Sequence, residues 1–388
     1  MTGPSWIALT AAVLLVGYTY AGYPLILWLA ALVRPRRPEQ GPRRAEWPTV
    51  SISLPAHNEE HQIADTLDSL LRLDYPEDRL QIVVVSDAST DRTDEIVRTY
   101  SDRGVQLVRQ TERRGKTAAE DLAAGHLTGE IVVNTDASIR IHRHSLREIV
   151  RPFADPSVGV ASGRDVSVGS DEGDPNQGEA GYVGYEMWIR DLETRVAGIV
   201  GASGSLYAIR REIHRTPLPS SLSRDFAAAL HARERGFRAV SVPRATCLVP
   251  RTASLRREYR RKVRTMARGM ETLLYRKALL NPVRYGAFAW MLFSHKVCRW
   301  LVPWAGVAAV AGLAGLAVTE VWARAVLALV VVAGGAAAVA WRLDDAAVPR
   351  ALTLPAFAVM ANVAALHAGV KALSGDREPT WEPTRRTG

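Results

Sequence analysis

Apolar and polar positions divide this chain into two kinds of segment. From Trp6 to Val33 no residue carries a charge, and a run of that length crosses a hydrocarbon layer of roughly 30 Å with some tilt. Three further apolar blocks lie near the other end, Leu301 to Val318, Ala323 to Trp341 and Ala351 to Val370, parted by short polar turns. A helical bundle buried in protein is the competing reading of these blocks, but near-freedom from charge is what lipid-spanning helices require. For the first block the competitor is a secretory signal peptide. The preceding Met-Thr-Gly-Pro-Ser has no basic side chain and the apolar run is too long for one, so a membrane anchor is expected.

The stretch between the membrane blocks, roughly 46 to 280, follows another rhythm. "TVSISLPAH" is a β-rich run, followed by Ile63, Leu67, Leu70 and Leu71 on one helical face. "LQIVVVSD" then leads into "TDRTDEIVRTY", "VQLVRQ" into "GKTAAEDLAAGH", and "EIVVNTD" into "RHSLREIVRPF". Apolar runs without polar alternation predict strands covered on both faces, and the helices between them predict right-handed crossovers in a mostly parallel α/β sheet. Ligands of such sheets bind beyond the carboxyl ends of the strands. That position holds His57, Asn58 and Glu59, then Asp87, Ala88 and Ser89, then Asp136, Ala137 and Ser138. One acid after a strand is ordinarily a turn residue or a helix cap; three polar, acid-bearing loops at corresponding positions point to a site.

Charge gives the chain an orientation. Its 388 residues, 47% hydrophobic, allow two or three domains, and the formal net charge is +9. Arg34, Arg36, Arg37, Arg43 and Arg44 follow the first apolar block, while Arg256, Arg257, Arg260, Arg261, Lys262, Arg264 and Arg268 precede the second. Lys and Arg stay on the cytoplasmic side, so both ends of the polar domain are expected there. An odd number of later spans then places the tail outside, against the basic character of Lys371, Arg377, Arg385 and Arg386. Either one block is re-entrant or "NPVRYGAFAWMLFSHKVCRW" is more than an interfacial helix. Clustering of the basic residues beside the spans points to anionic lipid headgroups and phosphorylated ligands rather than nucleic acid. The two cysteines, Cys247 and Cys298, form no CxxC pair, disulfide framework or zinc site.

No GxGxxG follows the first strand, and "RRGKTAA" lacks the upstream glycine of a P-loop. A dinucleotide dehydrogenase and a P-loop nucleotide triphosphatase are therefore set aside. In order, "LPAHNEE", "VVSDASTDRT", "RRGKTAA", "NTDAS", "GASGSLYAIRR", "SRDFAAALHARERGFRAV" and "SHKVCRWLVP" resemble a membrane-embedded family 2 glycosyltransferase with a GT-A fold, similar to bacterial polysaccharide synthases. The resemblance covers roughly residues 48 to 300.

Transfer of a sugar from a nucleoside diphosphate requires stabilisation of the leaving diphosphate, which a divalent cation supplies as a Lewis acid. Mg2+ or Mn2+ takes hard oxygen ligands and keeps waters, so one or two carboxylates plus phosphate suffice. The resemblance assigns "NTDAS" to the metal-binding D-x-D position, with Asp136 as ligand and Ser138 in place of the second acid. It places Asp87 at the uracil base and the loop of Pro55 and Glu59 under the nucleotide. Lys116 is set to reach the base or a phosphate. Asp225 aligns with the family's catalytic aspartate, the general base for the acceptor hydroxyl; the preceding acid of the family is here Arg224. Gly201, Ser203 and Gly204 are expected at the acceptor, with Tyr182, Tyr185 and Trp188 available for stacking on a sugar. "EYRRKVRTMARG" stands where processive synthases carry QxxRW, so Arg264 matches the arginine that grips the diphosphate, while Arg261 and Thr265 replace the Gln and Trp. Each residue has an ordinary alternative: turn for Asp87, cap for Glu59, solvated charge for Lys116, packing for Trp188, a tight turn for the glycines, and a membrane-surface helix for the basic run.

The expected organisation is an anchor and basic linker over 1–45, a GT-A domain over 46–250, basic interfacial helices over 251–300, membrane helices over 301–373 and a basic tail over 374–388. The function implied is inverting, metal-dependent transfer from a nucleotide sugar, a UDP-sugar by the resemblance, to a lipid-linked or growing polysaccharide acceptor. The setting is the cell's inner (plasma) membrane, multi-pass, with the catalytic domain cytoplasmic. Membrane lipids are partners and nucleic acid is not. The alternative is a non-catalytic sugar-nucleotide sensor or scaffold, which Arg224, Ser138 and Thr265 keep open.

Overall fold

A computed structural model describes residues 3–34, 47–168, 177–250, 255–343 and 350–374. Arg36, Arg37, Arg43, Arg44, Arg377, Arg385, Arg386 and the Tyr182 side chain lie outside what it describes.

Eight strands form one sheet: β1 (Val50–Ala56), β2 (Leu80–Ser86), β3 (Val105–Arg109), β4 (Ile131–Thr135), β5 (Arg140–Ile141), β6 (Val158–Val168), β7 (Leu206–Arg210) and β8 (Arg238–Pro250), in the order β3-β2-β1-β4-β7-β6-β8-β5. The first four run parallel, as the apolar runs predict. Alternate residues of β2 explain why the run is continuous. Ile82 and Val84 enter a core with Ile52, Leu67 and Val133 on one face, and Val83 and Val85 enter a core with Ala119, Ala123 and Ala228 on the other. β7 departs from the simple pattern, inserting antiparallel between β4 and β6.

Strand order reverses beside β1: β2 and β3 extend the sheet one way and β4 joins on the opposite edge. A crevice forms at such a switch point, outside the carboxyl ends of the strands. The loops after β1 and β4, carrying Asn58–Glu59 and Asp136–Ser138, flank it.

The helices that matter to the site are α1 (Gly3–Leu32), α2 (Ile63–Leu71), α3 (Thr93–Arg98), α4 (Lys116–Ala123), α5 (Ser145–Val150), α6 (Gln177–Val196), α7 (Arg224–Glu234), α8 (Leu255–Tyr275), α9 (Ala287–Leu316), α10 (Val321–Arg342) and α11 (Arg350–Ser374). Among the described residues four are long and apolar enough to cross a membrane: α1, α9, α10 and the Ala356–Ser374 part of α11. α1 and α9 run antiparallel. A Cβ on Gly312 would lie 2.7 Å from the Ser5 carbonyl, while at the other end Tyr18 Oη and Ser294 Oγ are 2.6 Å apart. The second apolar helix starts at Ala287, not near Leu301. Residues 287–300, expected in an interfacial segment, are continuous with the block that follows and carry His295, Lys296 and Arg299 into it. Acids on α6 neutralise part of that charge.

Candidate functional site

The β1 and β2 loops are held against each other. Asn58 and Ala88, neither a glycine, sit in left-handed conformations, φ 54° and 53°, a strain of about 1–3 kcal/mol each that surrounding bonds must sustain. Thr90 N donates to Asn58 Oδ1 at 2.8 Å, and Glu59 N to Thr93 Oγ1 at 2.8 Å. His57 Nδ1 lies 2.7 Å from the Asp87 carbonyl. Pro55 is buried in β1 and Glu59 is buried at its end.

Asp87 is only 1% exposed, and its carboxylate is turned inward. Oδ1 accepts from Arg114 N at 2.8 Å and Oδ2 from Gly115 N at 2.9 Å. Asp87, the residue the resemblance sets at the base, clamps the "RRGK" loop here and so delivers Lys116 to the start of α4. There the Lys116 ammonium pairs with Asp136 and lies 4.0 Å from Glu120. Burial lowers its pKa, but Asp136 and Glu120 outweigh this and raise it; Asp225 acts on it in the same direction. Asp87, Asp136 and Asp225 are thus linked through one four-residue loop.

Glu120 was not singled out by the sequence. It is 1% exposed, neither carboxylate oxygen has a hydrogen-bond partner, and Arg224 Nε is 3.7 Å away. Burial raises its pKa to about 7 against the pull of Lys116 and Arg224. Arg224 also pairs with Asp121 and donates to the His214 carbonyl at 2.8 Å. Where the resemblance has an acid before the aspartate, this chain has a buried cation faced by two acids of α4.

Asp225 opens α7, half-buried, with Ser223 Oγ donating to it. A Cβ on Gly204 would lie 3.0 Å from Asp225 Oδ2, so the loop from Gly201 passes close against the carboxylate. That loop is built on β6: Ser203 N donates to Ser162 Oγ at 2.8 Å and Ser203 Oγ to Asp165 Oδ1 at 2.7 Å. Arg190 of α6 donates to the Gly201 carbonyl at 3.4 Å. Trp188 stands two residues earlier, 44% exposed, beside Tyr185 at 6.1 Å between ring centroids.

Arg268 was also missed as a site residue. It donates to Thr117 Oγ1 at 3.0 Å and to the Leu222 carbonyl at 2.7 Å, and Asp225 and Glu120 both act on its charge. Arg264 lies one turn earlier on the same face of α8, half-buried.

The described residues hold no cluster of three or more His, Cys, Asp or Glu suited to a metal. An ion that takes phosphate oxygens and waters needs fewer. Asp136 fits that need: its side chain is 27% exposed at the crevice, with Ser138 two residues on, and an ammonium already pairs with it.

Fold and site together define a glycosyltransferase of GT-A fold. Residues 51–216 match the family described as "Glycosyl transferase family 2", and the chain carries a family 2 glycosyltransferase domain. The solved "Mannosyltransferase PcManGT from Pyrobaculum calidifontis in complex with GDP-Man and Mn2+" superposes with a TM-score of 0.71 at 27% identity, covering 95% of this chain and all (100%) of that one. "Probable glycosyltransferase YdaM" of Bacillus subtilis is 38% identical over 97 residues, 24% of this chain and 23% of that protein. "Beta-monoglucosyldiacylglycerol synthase" of Nostoc sp. is 27% identical over 169 residues, 42% of this chain. The chain spans only 36% of that synthase's length.

Proposed function

We propose that the protein transfers a sugar from a nucleotide sugar, a UDP-sugar, to a lipid-linked or growing glycan acceptor at the inner face of the plasma membrane. The observation that carries this reading is the linkage of Asp87, Asp136 and Asp225 through the Arg113–Lys116 loop at the β1/β4 crevice. Asp136, with Ser138, would hold Mg2+ or Mn2+, which when bound neutralises the leaving diphosphate. The solved mannosyltransferase contains GDP-Man and Mn2+, which supports a nucleotide-sugar donor and a divalent metal; the choice of UDP rests on the resemblance.

Asp225 takes the proton of the acceptor hydroxyl as it attacks, in a single displacement with inversion. Gly201, Ser203 and Gly204 bring backbone close to that hydroxyl, and Trp188 is the exposed aromatic at their margin. Lys116, paired with Asp136, would also reach the phosphates of a bound nucleotide, and Arg264 and Arg268 add positive charge from α8. Pro55 and Glu59 shape the floor of the nucleotide crevice.

The basic face of α8 sits at headgroup level, with the catalytic domain cytoplasmic. α11 packs along that helix rather than away from it. Tyr259 Oη is 3.0 Å from His367 Nδ1, and Lys262 Nζ lies 5.0 Å from the Phe357 ring. A helix crossing the bilayer would carry His367 about 15 Å deeper than Phe357. Both lie beside residues one turn apart on α8, which favours α11 lying in the interface.

A screen of nucleotide sugars for transfer by purified protein with Mn2+, followed by product analysis, tests the assignment. Incorporation from one donor supports it; no binding of any nucleotide sugar defeats it.

A further inference from the structure

We propose that Lys296 binds an anionic group of the acceptor, the phosphate of a phosphorylated membrane lipid, while the lipid-linked sugar's hydroxyl reaches Asp225. The proposal rests on the reading of Gly201–Gly204 as the acceptor loop.

The first ground is place. A Cβ on Gly201 would lie 3.6 Å from Lys296 Nζ, and one on Gly204 lies 3.0 Å from Asp225 Oδ2. The loop therefore has the base at one end and an ammonium at the other. Gly201 and Gly204 are three residue steps apart, at most about 10 Å of extended chain, the reach of one sugar and the phosphate that carries it. Lys296 Nζ also lies 5.4 Å from the ring of Phe226, the neighbour of Asp225.

The second ground is charge. α6 offers two carboxylates to this region, and both are occupied: His295 lies 2.5 Å from Glu193 and 2.9 Å from Glu186, while Arg299 pairs with Glu186 at 2.5 Å. Tyr23 Oη of α1 donates to Glu193 as well, at 2.6 Å. Burial opposes ionisation of Glu186, but His295 and Arg299, with a weaker pull from Lys296, hold its carboxyl well below the ordinary carboxylate range. Arg190 is committed to Ser162 and the Gly201 carbonyl. Lys296, half-buried, has no hydrogen bond and no carboxylate within 4.0 Å among the described residues. Three fixed cations, Arg190, Lys296 and Arg299, thus face two carboxylates. An ammonium partly withdrawn from water with an aromatic face but no hydrogen-bonding anion beside it is costly, and an anion entering from the membrane side lowers that cost.

The third ground is depth and backbone. Lys296 lies in a π-helical turn, Phe293–Cys298, inside α9, a local widening found often at functional positions. One turn on, Trp300 packs edge-to-face against Phe226 with centroids 6.5 Å apart, and tryptophan marks the headgroup level where lipid phosphates reside.

The test uses the full chain in phosphatidylcholine nanodiscs, titrated calorimetrically with farnesyl phosphate, farnesol, inorganic phosphate and UDP. Farnesyl phosphate should bind at least tenfold tighter than farnesol, and Lys296→Gln should erase that preference while Lys296→Arg keeps most of it. UDP affinity should be the same in all three proteins. Inorganic phosphate matching farnesyl phosphate would show a free-anion site and overturn the lipid assignment; loss of binding when phosphatidylglycerol replaces phosphatidylcholine would assign the site to bulk headgroups and overturn the acceptor assignment. Should Lys296→Gln fail to fold, protection of wild-type Lys296 from reductive methylation by farnesyl phosphate, read by mass spectrometry, decides the matter. A wild type without phosphate preference, or no protection, overturns the proposal. Absence of UDP binding would instead overturn the nucleotide-sugar reading beneath it.

Discussion

The Lys116 ammonium rests on the Asp136 carboxylate at the mouth of the crevice, so a cation of the protein's own occupies the group expected to hold the metal. Metal and lysine therefore compete. Asp136→Ala should abolish metal-dependent nucleotide binding. Lys116→Met should strengthen Mn2+ binding in the absence of nucleotide by about tenfold, roughly 1.4 kcal/mol, while weakening nucleotide binding. Calorimetry reads both, and unchanged nucleotide affinity in Asp136→Ala contradicts the assignment.

A side chain at Gly204 would crowd Asp225. A methyl group there meets Oδ2 at 3.0 Å and pushes the carboxylate off its line to the acceptor. Gly204→Ala should lower kcat by about tenfold to a hundredfold, ~1.4–2.8 kcal/mol, with UDP affinity and melting temperature retained. A variant with full kcat would show that the close approach has no part in catalysis.

Glu120 predicts a pH signature. Its folded-state pKa is raised by burial from the ordinary 4.5 to about 7, so folding favours the protonated form. The contribution to stability is complete below about pH 4.5, declines as pH rises through 7, and is absent above, a change of up to about 3 kcal/mol. Glu120→Gln keeps the neutral form and lacks that slope. Melting curves of the detergent-solubilised proteins from pH 5 to 8 should show the variant gaining on the wild type; parallel profiles would place Glu120 in solvent.

How much of this was legible beforehand depends on where the information resides. The β1 to β4 runs announced parallel strands because burial on both faces leaves an unbroken apolar signature. β7 did not announce its direction, since antiparallel insertion beside β4 is settled by the return of the chain after α6 and not by local pattern. Topology places the acid-bearing loops after β1, β2 and β4 at the strand ends, while the roles of their acids rest on the resemblance. Glu120 was not legible, because its burial depends on Arg224, far along the chain, and a single sequence cannot display that pairing. The motif points to Arg264, and the Leu222 carbonyl and Asp225 add Arg268, one turn on, which no motif marks.

The contact of Tyr259 with His367 bears on the membrane arrangement. A reporter fused after residue 388 should be found on the same side of the membrane as the catalytic domain, as judged by cytoplasmic fluorescence without periplasmic phosphatase activity. Phosphatase activity from the same fusion site would mean that α11 crosses the bilayer.

Asp225 carries the central claim, and the measurement that tests it most directly is transfer from UDP-sugars by the purified protein and its Asp225→Asn variant, with Mn2+ and membrane lipid acceptors. Wild type should form glycosylated product, and the variant should lose transfer by at least about a hundredfold, ~2.7 kcal/mol, while binding UDP as before. Equal, background-level turnover in both proteins with intact nucleotide binding would contradict catalysis and leave a sugar-nucleotide sensor.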